Sequence, residues 1–155
     1  MSWTGHWHGF GPWVGSGREY AQEGQRRPGA VAGLATETFL RDKRPPMMTG
    51  WWLMRRGQVA ATWEDDPRPA VAWLEQQYAA HPPMTREDGR QAYASLEWKR
   101  AYALDQLPRG RDITWGYWTS AGSLASFSVV SCPNRFHPDL PCPVAAQRPA
   151  VAAAS

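Results

Sequence analysis

The sequence predicts an α+β fold, a small antiparallel sheet from two β-hairpins packed against two central amphipathic helices. Three observations predict it. Two stretches in the middle of the chain carry apolar residues at helical spacing between start and stop signals. Two runs of aromatic and β-prone residues, one before and one after those helices, are each interrupted by a turn-prone segment. At 155 residues the chain is long enough for one domain with a real core.

Residues 1–17 read as an aromatic, glycine-rich arm. Gly9, Gly11-Pro12, Gly15 and Gly17 interrupt any regular element, and Trp3, Trp7, Phe10 and Trp13 are expected to fold back over the body. Residues 18–143 read as the single globular domain and 144–155 as a flexible tail. Within the domain, residues 30–41 suit a short helix weakened by Gly33. The run TGWWLMRRGQVAATWE predicts the first hairpin, with strands near 50–55 and 58–63 around Arg56-Gly57.

The helices follow. Asp66 and Pro67 open the first, near 67–80, with Ala70, Val71, Trp73, Leu74 and Tyr78 on one arc; His81-Pro82-Pro83 ends it. Thr85 and Asp88 suggest a capping box for the second, which runs to about Leu107 before Pro108 and Gly110. Its main face carries Ala92, Tyr93, Leu96, Ala103, Leu104 and Leu107. Trp98 and Tyr102 form a smaller aromatic face behind, expected to take the arm or the Trp51-Trp52 strand. The second hairpin pairs 113–118 with 124–130 around a turn at 119–123, and a proline-punctuated loop covers 132–143.

Composition narrows the function classes. There are 10 Trp but only 4 Phe, Ile113 is the single isoleucine, and Lys43 and Lys99 are the only lysines. A formal net charge of +3 is below that of a dedicated nucleic-acid binder, although residues 1–60 hold eight basic groups against four acidic ones. No apolar run is long enough for a transmembrane helix, and the N-terminus lacks a secretory pattern. With two cysteines, a reducing compartment and the cytoplasm are expected.

Five constellations have possible chemistry. Cys132, His137 and Cys142 are natural zinc ligand types with four residues in each gap, and a fourth ligand would have to come from His6 or His8. The spacing fits no standard framework, so the three are read as local structure, whether they bind zinc stays open, and no residue is assigned as a metal ligand. His6 and His8, at i and i+2, share one side of an extended strand and are positioned to chelate. A Cys132–His137 nucleophile pair lacks an orienting third group. Glu64, Asp65 and Asp66 fit a helix start. No HExxH, P-loop or GxGxxG motif is present, so no catalytic residue or cofactor is assigned, and whether the protein is an enzyme stays open.

The fifth is a set of tryptophans interleaved with cations. Trp51, Trp52, Arg55, Arg56, Trp98 and Tyr102 are taken as the binding surface, because Trp and Arg dominate interface energetics. The reading favoured by sequence is a small accessory or interaction protein whose partner is another protein. The alternative is a small enzyme or ligand-binding domain with a pocket lined by Trp and Tyr, which would take a small molecule. Single-stranded nucleic-acid binding ranks below both.

Overall fold

The computed structural model describes residues 3–29, 35–90 and 93–144. Four strands, β1 (His6–Gly15), β2 (Val59–Glu64), β3 (Ile113–Trp118) and β4 (Leu124–Cys132), form one antiparallel sheet in the order β2-β1-β4-β3. This is the α+β architecture the sequence predicts, and β3–β4 is the expected hairpin with its turn at 119–123. The segment read as an arm contains β1, an inner strand. Its glycines do not break the strand, because the chain bulges where they fall. Gly11 sits at φ 92°, where a Cβ would meet the Ser126 carbonyl oxygen at 2.9 Å.

The first hairpin does not form as the sequence predicts. Val59–Glu64 is a strand, but it pairs with β1, and its expected partner at 50–55 is a 3-10 segment, Thr49–Met54. Trp51, Trp52, Leu53 and Met54 are consecutively apolar, so a strand here would leave apolar side chains on both faces. The tighter coil turns Trp52 and Leu53 together into the interior instead.

Among the helices, α1 (Gly17–Tyr20) is capped by a Ser16–Glu19 box, and α2 (Glu37–Arg41) by the Thr36 side chain; residues 30–34 of the predicted helix lie outside the described residues. α3 (Arg68–Ala80) matches expectation, with Asp66 accepting a hydrogen bond from the free Arg68 amide at 2.9 Å and His81 ending it. α4 (Leu96–Gln106) starts ten residues later than the capping-box reading. Residues 86–90 instead make a tight turn, with Gly89 at φ 80° and Asp88 holding the Arg90 amide, and Ser95 supplies the cap.

Strand alternation divides the side chains between two cores. On one face Trp7, Ile113, Trp115, Tyr117, Phe127 and Val129 pack under α3 and the end of α4, through Val71, Leu74, Tyr78, Ala103 and Leu107. The Trp7 indole donates to the Leu107 carbonyl at 3.0 Å, fixing the strand to the helix end. On the other face Phe10, Val130 and Cys132 pack with Trp52 and Leu53, and Phe10 stacks on Trp52 at 5.1 Å. Trp98 and Tyr102 are covered by neither the N-terminal segment nor residues 50–55. They are exposed on α4, stacked on each other at 5.1 Å with planes 8° apart.

The irregular segment between β1 and β2 is organised around buried guanidiniums. Arg55 is 1% exposed and donates to the carbonyls of Phe39 (2.9 Å), Arg44 and Gln25 (3.5 Å), with its cation over the rings of Phe39 and Trp52. Burial pushes its pKa down to about 10, which leaves it charged at neutral pH. Arg26 holds the carbonyls of Pro45 and Tyr20 in the same manner, at 2.6 and 2.7 Å.

Two stability predictions follow from this packing. Gly9 lies under the rings of Trp63 and Trp73, which a Cβ would meet at 2.8 and 3.3 Å. Gly9→Val should therefore cost about 2 kcal/mol in thermal unfolding, whereas Gly57→Ala, in open space, should leave the midpoint unchanged. Arg55→Ala strands several carbonyls in the interior, and a loss of about 3 kcal/mol is expected in denaturant unfolding. Lysine cannot span those carbonyls with one ammonium, so Arg55→Lys should recover only part of the loss.

Candidate metal centre

β1 and β4 place three ligand-type side chains at one end of the second core. His6 and His8, two residues apart in an extended strand, project from the same face, and His6 lies directly across from Cys132 in the register. The loop after β4 returns the chain so that Cys142 joins them. The ligand atoms of His6, His8, Cys132 and Cys142 all lie within 4.8 Å of one another, the one such cluster found among the described residues. His8 and Cys132 are buried, His6 and Cys142 half-buried, and the thiols are not bridged.

The separations among His6, His8 and Cys142 suit three corners of a tetrahedral ion site. The two Nε2 atoms are 3.0 Å apart, and Cys142 Sγ is 3.5 Å from each. Zinc bonds near 2.0–2.1 Å to nitrogen and 2.3 Å to sulfur imply tetrahedral edges of about 3.3 Å (N···N) and about 3.6 Å (N···S). The His8 Nδ1 lies 2.8 Å from Thr62 Oγ1, the kind of outer contact that orients a ligating imidazole. With Nδ1–H donating to that hydroxyl, the Nε2 lone pair faces the cluster.

Burial keeps the interior ligands of the centre neutral when no ion is bound. Burial, together with neighbouring His6, pulls the His8 pKa down to about 4, so the ring is neutral at pH 7, the form that ligates metals. Burial, then Cys142 close by, pushes the Cys132 thiol up to about 12. Without a cation that thiol keeps its proton, while a bound divalent ion would take it as the thiolate.

The loop joining the two cysteines is held by its own network. Asn134 is 1% exposed; its amide donates to both Asp112 oxygens, at 3.0 and 3.1 Å, and its carbonyl oxygen accepts from the amides of Phe136 and His137. Asp112 also accepts from the Ser131 amide at 2.8 Å. Gly50 lets the loop close on the Thr49–Met54 turn, since a Cβ there would strike the His137 ring.

The sequence spacing groups Cys132, His137 and Cys142, with a fourth ligand to come from His6 or His8. The structure brings the cysteines together with both N-terminal histidines and leaves His137 out, its ring 6.1 Å from that of Trp51. The i, i+2 histidine pair was the usable signal; its pairing opposite Cys132 was not visible in the spacing.

The six residues read as a binding surface are divided by the fold. Trp52 and Arg55 are interior, Trp51 is half-buried beside His137, and Arg56, Trp98 and Tyr102 are exposed. The chain matches no protein-family model, curated protein or solved structure. The four-ligand cluster and the buried Trp/Tyr packing point to an internal metal- or ligand-binding site rather than a clear surface patch. Among the described residues, no helix is long and apolar enough to cross a membrane.

If His8 is held neutral by burial, the metal-free protein should be most stable above the ordinary histidine pKa of 6.5. Stability should then fall as the pH drops toward about 4, because the unfolded state takes up the proton first. Urea unfolding across that range in the presence of a chelator checks this, and His8→Gln should flatten the dependence.

Proposed function

We propose that this protein is a zinc-binding domain in which His6, His8, Cys132 and Cys142 hold one structural ion. The observation that carries this reading is the convergence of four ligand atoms, two nitrogens and two sulfurs, within 4.8 Å of one another, with the three edges among His6, His8 and Cys142 close to tetrahedral length. Four protein ligands fill the coordination sphere and leave no open position for substrate, the arrangement of a structural zinc rather than a catalytic one. The ion would join the N-terminal strand to the loop that follows the C-terminal strand, adding to the Asp112–Asn134 network and the Arg135–Arg109 hydrogen bond that hold that loop. Cys142 in particular lies outside any strand, so its place in the cluster depends on how that loop is held. Reduced thiols suit this role in a reducing compartment.

Protein purified from zinc-supplemented cells should contain about one zinc per chain by elemental analysis. Removing it should lower the melting temperature by about 10 °C at zinc levels well above Kd. Cobalt(II) should give the visible absorption of a tetrahedral, thiolate-bound ion. Cys142→Ser, at a half-buried position, should weaken cobalt binding at least tenfold, while His137→Ala should leave it unchanged. Metal content near zero together with no cobalt spectrum would refute the reading.

Thiols bind zinc as thiolates, so metal uptake must release protons. Calorimetric titration of zinc at pH 7 in buffers of different ionisation enthalpy should show release of about two protons per ion. No release would exclude the cysteines as ligands.

A further inference from the structure

We propose that the groove between the C-terminal half of α4 and residues 135–136 binds a ligand that joins a flat aromatic ring to an anionic group, the chemistry of a nucleotide. The groove has a volume of about 630 Å³, with Tyr102, Arg111, Arg135 and Phe136 among its walls. It adjoins a second hollow of about 240 Å³ under Trp98, with which it shares Tyr102 and Asp112.

The aromatic half of the argument is exposure. Trp98, Tyr102 and Phe136 are 59%, 47% and 74% exposed, although the chain buries most of its other large rings. Trp98 and Tyr102 stack with nearly parallel planes, so a joined π surface stands where the groove meets the hollow. Large exposed rings cost solvation, and a flat heterocycle is the partner that recovers it by stacking.

The anionic half is charge. Neither Arg111 nor Arg135 forms an ion pair among the described residues. Each is oriented by one neutral acceptor. Arg111 donates to Gln106 Oε1 at 3.1 Å and Arg135 to the Arg109 carbonyl at 3.0 Å, which leaves further N–H donors of each guanidinium for an anion. Arg109, by contrast, is already matched by Asp105 at 3.3 Å. The carboxylate in the wall, Asp112, accepts from the Ser131 amide and the Asn134 side chain and is not ion-paired with either guanidinium among the described residues. Two unspent guanidiniums beside a stacking surface fit a phosphate attached to a base.

Arg135 and Phe136 lie between Cys132 and Cys142, so a bound metal would steady this wall, but the recognition does not depend on it. The test uses the full chain, zinc-replete, titrated with adenosine monophosphate and with a short single-stranded oligoadenylate. Binding is read by calorimetry and tryptophan fluorescence. Saturable binding is expected with Kd at or below about 1 mM, stronger for the monophosphate than for adenosine or inorganic phosphate alone. Arg135→Ala and Trp98→Ala, both at exposed positions, should each weaken it at least tenfold with unchanged melting temperatures, and Arg41→Ala should not. Tighter, salt-steep binding of the oligonucleotide would assign the site to a strand; equal or better binding of the monophosphate would assign it to a free nucleotide. No saturable binding of either probe, or binding unaltered in both groove variants, would overturn the proposal. Because cobalt spectra report the metal centre separately, loss of one reading is distinguishable from loss of the other.

Discussion

The pairing of β1 with β4 is the constraint on which the rest of the molecule depends. β1 comes from the first residues of the described chain and β4 from near its end, so their ladder closes the chain on itself. It also sets which side chains face which layer. Trp7, Phe127 and Val129 are turned toward α3, while His6, His8, Phe10, Val130 and Cys132 are turned away from it. A shift of one residue would exchange the two sets, sending the histidines into the aromatic core. Two packed faces with different chemistry hold the register against that slip.

The two layers solve their packing problems differently. The helical layer follows familiar rules: amphipathic α3, a capped α4, and an aromatic cluster with edge-to-face contacts such as Tyr78–Trp115 and Tyr117–Phe127. The other layer has almost no regular structure with which to satisfy its backbone. Arginine does that work there. A planar guanidinium presents several donors in a fixed fork, so Arg55 and Arg26 can each gather carbonyls from separate turns while their flat faces cover aromatic rings. Cations that look like surface recognition groups in the sequence are thus the internal fasteners of the irregular layer.

The candidate metal centre lies where that irregular layer meets the sheet. Its position explains the network around it. Asp112 at the start of β3 and Asn134 just beyond β4 together set the direction in which the chain leaves the sheet, and Gly50 makes room for the loop. Those contacts deliver Cys142 to the histidines. The same loop carries Arg135 and Phe136 outward into the groove beside α4. The centre and the groove are two sides of one short connection, one facing the core and the other facing solvent.

Periodicity and punctuation suffice to read part of this from sequence. The α3 helix, the β3–β4 hairpin, the strand at 59–64 and the α+β class all come from local patterns of apolar spacing, Asp66 and Pro67 at a helix start, and a glycine-bearing turn. Each depends on neighbours within a few residues. The pattern fails where a residue's role is set by a distant partner. Gly9 and Gly11 read as breakers until a neighbouring strand and two indole rings are present to use the space they leave. Trp52 and Arg55 read as a surface until the carbonyls of Phe39 and Arg44 surround the cation. The residue types of the metal centre were visible in sequence, as was the histidine spacing, but spacing within a segment cannot say which segments become neighbours. By itself the sequence determined the local elements and the inventory of ligands. Only the tertiary structure decided that His6 would lie opposite Cys132, with Cys142 brought to both histidines and His137 left aside, because that choice belongs to strand register and loop path, which are settled by burial across the whole chain.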